Sequence, residues 1–168
     1  SASRFQAIDE CPRPYLALYY TDTPEVFTSD AYRSAFTHQT EWSLRNFDRM
    51  RGTQRRVGPL AIELADGEGG ALALFVVPQG RIPMDTLGEA LARVCEEDSI
   101  VRAAVLRTDT GLSAPVTATS AAVPADAMVT IEATHPEAAL AQARSLARTL
   151  NLPEQEVHGF RLLWRLGA

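Results

Sequence analysis

The sequence predicts an α+β fold in which three strand–helix–strand units form an antiparallel sheet with helices on one face. Short apolar or alternating runs recur along the chain, and segments with helical periodicity separate them. A short segment rich in glycine and aspartate joins the first two units, as in a tight turn. The three units cover residues 14–64, 71–108 and 128–166.

Six runs are predicted as strands, because each is short and either continuously apolar or alternating with a period of two. They are residues 14–20, 54–64, 71–77, 100–108, 128–134 and 156–166. Gly58 and Pro59 interrupt the second run, which indicates a bulge or an edge strand.

Helices are predicted between the strands. Residues 24–51 contain one helix or a broken pair, with Ser29 and Thr40 as candidate N-caps and Gly52 just after the end. Residues 84–98 place apolar side chains at helical spacing. Residues 136–150 are rich in alanine and leucine and begin with a proline, which favours a helix start there.

The turn at residues 65–70 predicts a hairpin between the first two units, which gives the order β-α-β-β-α-β of a ferredoxin-like repeat. In this interpretation residues 1–168 form one domain, with a complete repeat at 14–108 and a half repeat at 128–166. Residues 109–126 are of low complexity and predict a flexible loop or a lid. The sheet face without helices needs a cover, so we expect a homodimer.

Composition excludes several classes of function. The net charge of −5 argues against a general nucleic-acid binder, and no apolar run approaches the ~20 residues that span a bilayer. All sixteen basic residues are arginine, which excludes a Schiff-base lysine and the lysine of a phosphate-binding loop. Two isolated cysteines and no signal-peptide pattern favour the cytoplasm.

The opening strand "YLALYY", Asp22, "SDAYRSAF" and "TEW" before an arginine resemble the dimeric α+β-barrel superfamily, including its EthD-like, antibiotic-biosynthesis-monooxygenase and stress-responsive barrel families. The segment from "MVTIEAT" to "FRLLWRL" is similar to the closing strand-helix-strand of the same bacterial proteins. The resemblance implies a dimeric barrel. Members include isomerases, cofactor-free oxygenases, decarboxylases, cyclases, haem-dependent enzymes and proteins without known activity.

The first helical segment is the main candidate site. If residues 37–51 are helical, His38, Glu41, Trp42, Arg45 and Arg49 share one face. His38 is then a candidate acid or base, the two arginines are anion anchors, and Trp42 is an apolar wall. The alternative is an ordinary solvated helix face with Trp42 as a core anchor. We expect this face to border a pocket close to Tyr19, whose hydroxyl can polarise a carbonyl or phenol.

The last strand places His158 and Trp164 on one face, where they either line a ligand cavity or belong to a core or an interface. Three scattered histidines make no metal motif, so we expect neither a metal nor another cofactor.

These residues predict a cofactor-independent enzyme that acts by proton transfer on a small aromatic or polyketide-like acid. His38 and Tyr19 would be catalytic, and Trp42, Arg45, Arg49, His158 and Trp164 would bind substrate. The alternatives are a non-catalytic ligand-binding or accessory protein of the same fold, and a haem-binding barrel. In each case we expect a homodimer with a small-molecule ligand and no nucleic-acid or membrane partner.

Overall fold

The computed structural model describes residues 1–114 and 123–167. In these ranges the chain forms a seven-stranded sheet, four α-helices and two short 3-10 helices. The strands are β1 Ala2–Ala7, β2 Tyr15–Tyr19, β3 Leu60–Leu64, β4 Ala71–Pro78, β5 Ile100–Arg107, β6 Asp126–Ala133 and β7 His158–Leu166. The α-helices are α1 Asp30–Thr37, α2 Glu41–Phe47, α3 Met84–Val94 and α4 Pro136–Thr149, and the 3-10 helices are Pro24–Thr28 and Glu154–Glu156.

All six predicted strands have a counterpart, which confirms the α+β class. The second is shorter than expected, because residues 54–59 lie outside β3. Strand β1, which has only six residues, was not predicted. Its Phe5 is fully buried. The loop predicted over residues 109–126 lies partly outside the described residues.

The first helical segment is a broken pair. Ser29 and Thr40 are the N-caps, since their side chains accept hydrogen bonds from the backbone N–H groups of Tyr32 and Ser43. His38 ends α1 with φ −111° and ψ 53°, so residues 37–51 do not form one continuous helix. The assumption of a single face from His38 to Arg49 is therefore wrong, and Arg49 lies beyond the end of α2.

The strand order is β2-β1-β7-β4-β6-β5-β3, and every pairing is antiparallel. The expected hairpin at residues 65–70 is wrong, because β3 and β4 are not neighbours. Instead the segment crosses the ends of β5 and β6, where Gly67 N–H donates to the carbonyl of Val101 and Gly69 N–H donates to Glu132. A Cβ at Gly69 would lie 2.6 Å from the carbonyl oxygen of Ala133, so this crossing requires glycine.

The order β-α-β-β-α-β does occur, from β4 to β7, with α3 and α4 as the helical connections. Because β5 pairs with β6, the sheet is continuous across the boundary that sequence analysis placed between two repeats. A repeat over residues 14–108 requires β3 to pair with β4, and these two strands do not pair in the described sheet.

Helices α3 and α4 cover one face of the sheet and form the main core with it. Leu87, Leu91 and Val94 are the buried residues of α3. In α4, alanines at 139, 143 and 147 are fully buried, and their small size lets the helix pack close to the sheet. A second apolar cluster around Phe5, Leu72 and Phe160 lies on the other face. No helix in the described part of the chain is long and apolar enough to cross a membrane.

Candidate functional site

The residues predicted on the first helical segment lie at the surface. His38, Trp42, Arg45 and Arg49 are all exposed, and 69% of Trp42 is open to solvent. His38 Nδ1 contacts only its own helix end, 3.3 Å from Ser34 Oγ and 3.2 Å from Thr37 Oγ1. Neither α1 nor α2 contains a buried residue. The two cavities described below are lined by other side chains, and the roles proposed for these four residues stay predictions.

Tyr19 and Trp164 lie close together on the outer surface of the sheet. Arg4 connects them, because its Nη2 donates a hydrogen bond of 3.2 Å to the Tyr19 hydroxyl and its guanidinium lies 6.0 Å from the Trp164 ring centroid. Both aromatic side chains are about half exposed. The structure therefore brings together one predicted catalytic residue and one predicted binding residue.

His158 lies at the other end of β7, where it contacts the carboxylate of Asp9. The distance from His158 Nδ1 to Asp9 Oδ1 is 3.4 Å, and Asp9 Oδ2 accepts a hydrogen bond from Gly159 N–H. Both side chains are about four-fifths buried. His158 thus connects the start of β7 to the end of β1. Trp164 lies near the opposite end of β7, far from His158.

A cavity of about 370 Å³ lies at the end of the sheet where β2 ends and β4 begins. We call it the sheet-end cavity. Its walls come from six strands and the segments that flank them. They are Ser1, Ser3, Leu18, Tyr20, Thr21, Leu60, Glu63, Glu68, Arg102, Glu132 and Arg165. The edge strands β2 and β3 both contribute to these walls. The sheet is therefore curled, and its two edges lie on the same cavity.

The buried carboxylate of Glu132 binds two arginine side chains in this cavity. Glu132 is 4% exposed at its side chain and accepts hydrogen bonds from Arg102 at 3.4 Å, from Arg165 at 3.0 Å and from Gly69 N–H at 3.2 Å. Such a carboxylate is stable in the core only because donors surround it. Two guanidinium groups share this single carboxylate, so the buried trio carries a net positive charge.

The two arginines also bind carboxylates that water reaches. Arg102 contacts Glu63, and Arg165 Nη1 lies 3.4 Å from Glu68 Oε2. The side chains of Glu63 and Glu68 are 49% and 68% exposed, whereas those of Arg102 and Arg165 are 16% exposed. Glu63 and Glu68 are therefore the carboxylates of this cluster that water reaches.

Tyr20 supplies a phenol beside these charges. The Arg102 guanidinium lies 4.7 Å from the centroid of its ring, within range of a cation–π interaction. Burial raises the pKa of the Tyr20 phenol above its ordinary value, and the positive charge of Arg102 opposes part of that rise. Tyr20 is therefore neutral at physiological pH and is able to donate its proton in a hydrogen bond.

This cavity was not predicted from the sequence, although the sequence contains a signal for it. In the predicted strand over residues 14–20, alternation turns Tyr20 to the face opposite Tyr15 and Tyr19. Arg102, Glu132 and Arg165 each stand inside a predicted strand between apolar residues. A charged residue on the buried face of a strand needs a partner of opposite charge, so these residues predict one another's proximity.

A second cavity of about 190 Å³ lies where the first helical segment meets the body of the protein. Arg55 crosses it, and its Nη2 donates a 3.0 Å hydrogen bond to the Tyr32 hydroxyl. Its Nη1 donates to the carbonyl groups of Leu112 and Ala114. These hydrogen bonds attach the first helical segment to the rest of the protein, so the role of Arg55 in this cavity is structural.

Within the described residues, no three histidine, cysteine, aspartate or glutamate side chains converge as metal ligands. No family model, curated protein or solved structure matches the chain.

Proposed function

We propose that the chain is a cofactor-independent enzyme that acts by proton transfer on a small aromatic acid, and that this acid binds in the sheet-end cavity. One observation carries the proposal. The Tyr20 phenol lies against the Arg102 guanidinium, whose carboxylate partner Glu63 is half exposed to solvent. The cavity volume falls in the range of small-molecule sites, ~300–1,000 Å³.

The substrate anion takes the place of Glu63 at Arg102 or of Glu68 at Arg165. Its ring packs against Leu18 and Tyr20, which supply the apolar part of the wall. The displaced carboxylate becomes a base that accepts a proton from a substrate carbon next to a carbonyl group. The Tyr20 hydroxyl donates a hydrogen bond to the carbonyl oxygen as negative charge develops there. Return of the proton to a different atom completes an isomerisation, so no cofactor is needed.

The same proposal includes the narrower expectations from the sequence. The α+β sheet is compatible with the barrel superfamily that the opening and closing segments resemble. A cytoplasmic homodimer remains our expectation, and the net charge of −5 favours a small-molecule ligand over nucleic acid.

Phenylpyruvate is a suitable probe, since it is a small aromatic acid whose methylene protons exchange by enolisation. We expect the protein to bind it, as measured by calorimetry, and to accelerate exchange of these protons in deuterated water, as followed by NMR. In Tyr20→Phe the ring over Arg102 remains but the hydroxyl is lost. We expect binding within about threefold of the wild type and exchange slower by roughly 10²–10⁴-fold.

Tyr15→Phe is the matched control, because Tyr15 begins the strand that Tyr20 follows but is exposed and lies outside the cavity. It should leave binding and exchange unchanged. Binding without accelerated exchange would support the non-catalytic alternative. Equal exchange rates for Tyr20→Phe and Tyr15→Phe would refute the role of Tyr20. A Soret band that shifts on addition of haemin would favour the haem-binding alternative.

A further inference from the structure

The sheet has two free edges that border the same space. Tyr20 directly follows the edge strand β2, yet its ring lies 4.7 Å from Arg102 on β5, the neighbour of the other edge strand β3. Leu18 from β2 and Leu60 from β3 line the same cavity. The seven strands thus curl into an incomplete barrel, and β2 and β3 are the two sides of its gap.

The direction of the strands determines what can close this gap. Starting at β4, three antiparallel pairings lead through β7 and β1 to β2, and three others lead through β6 and β5 to β3. Strands β2 and β3 therefore run in the same direction, opposite to β4. A direct pairing of the two edges would be parallel and would break the pattern of the sheet. One additional strand, antiparallel to both edges, makes an even number and closes the barrel.

The backbone of β2 is ready to accept such a strand. Tyr20 N–H donates to the carbonyl of Ser1 at 3.0 Å, and Ser1 nitrogen donates back to Tyr20 at 3.1 Å. Hydrogen-bonded pairs alternate along an antiparallel ladder, so the other β2 residues that bond to β1 are Leu16 and Leu18. The N–H and C=O groups of Tyr15, Ala17 and Tyr19 consequently point into the gap, where no described strand pairs with them.

We propose that the gap between β2 and β3 binds one extended β-strand from a partner polypeptide, which completes an eight-stranded antiparallel barrel and roofs the sheet-end cavity. Exposed edges with unpaired backbone groups commonly bind partners by strand addition. The gap also suggests the chemistry of the partner strand. Its outward side chains would lie beside the exposed rings of Tyr15 and Tyr19 and should be apolar. Its inward side chains would face Tyr20 and Arg102 and should be small and polar. This proposal does not depend on the enzymatic activity.

A labelled peptide of about seven residues, with valine alternating with threonine and glutamate at both ends, is a direct probe. The glutamates suppress non-specific binding to an acidic chain. We expect the protein to bind it in a fluorescence-anisotropy titration, and not to bind the same peptide with a central proline. Hydrogen exchange should show new protection at the amides of Tyr15, Ala17 and Tyr19, while Leu16 and Leu18 are protected already without peptide.

The variant Ala17→Pro removes one N–H that points into the gap and leaves the β1–β2 ladder intact, since proline is tolerated on edge strands. It should weaken peptide binding by at least about tenfold. Ala17→Ser retains the N–H at similar size and should bind like the wild type. No peptide binding, equal binding by Ala17→Pro and Ala17→Ser, or protection elsewhere would each overturn the proposal. It would also be overturned by a wild-type dimer in analytical ultracentrifugation that Ala17→Pro converts to a monomer, because a second copy would then fill the gap.

Discussion

The buried carboxylate of Glu132 should stabilise the fold far more than a surface carboxylate does. Its side chain is 4% exposed and accepts hydrogen bonds from Arg102, Arg165 and Gly69 N–H. The substitution Glu132→Gln retains the shape but removes the charge shared by two guanidinium groups. Their remaining carboxylates, Glu63 and Glu68, are half or more exposed and neutralise them poorly. Breaking a buried ion pair by removing one partner costs about 3–5 kcal/mol.

Urea denaturation followed by circular dichroism measures this cost. With a slope of about 2 kcal/mol per molar urea, the midpoint should fall by roughly 1.5–2.5 M. Glu89→Gln is the matched control, because Glu89 and Arg93 form an exposed helical pair at 3.8 Å that contributes about 0.3–0.5 kcal/mol. If Glu132→Gln loses no more than about 1 kcal/mol, the two arginines do not depend on Glu132 and our description of the cavity charges is wrong.

Three further outcomes follow from burial and charge. Leu91→Ala removes a fully buried side chain between α3 and the sheet and should destabilise the fold by about 2–5 kcal/mol in the same urea assay. Trp42→Ser should change stability by no more than about 0.5 kcal/mol, since Trp42 is mostly exposed; a larger loss would show that it packs against something. Burial raises the pKa of the Tyr20 phenol in the folded protein above its value in the unfolded chain. Above about pH 10 the phenol therefore ionises more readily in the unfolded chain, and the free energy of unfolding falls as the pH rises. Tyr20→Phe should reduce that alkaline loss relative to Tyr15→Phe, as measured by urea titrations between about pH 9 and 11.

The sequence predicts the elements better than their arrangement. Strands β4 to β7 and helices α3 and α4 were predictable because each has a strong period and turn residues at its ends. The order of the strands was not predictable. Residues 65–70 have the composition of a hairpin turn, but they cross the ends of β5 and β6 instead of joining two neighbouring strands. Gly67 and Gly69 are required for close approach to β5 and β6, and the sequence alone does not distinguish this use of glycine from a turn.

The candidate site was missed for a related physical reason. The cluster of basic and aromatic residues from His38 to Arg49 attracted attention as a segment of sequence, but clustering along the chain is typical of a solvated helix as well. The residues that form the sheet-end cavity are far apart in the sequence, from Ser1 to Arg165, and only the strand order brings them together.

Charged residues in apolar strands carry more information about a site than charged residues in polar helices do. A charge on an exposed helix is well hydrated and needs no partner, so His38 and Arg45 imply little about their surroundings. A charge on a buried strand is stable only with a partner, and three such residues on three strands, Arg102, Glu132 and Arg165, compensate one another. Because two positive charges surround one buried negative charge, Glu132 alone does not compensate both arginines. The water-accessible carboxylates of Glu63 and Glu68 complete the compensation at the edge of the sheet-end cavity.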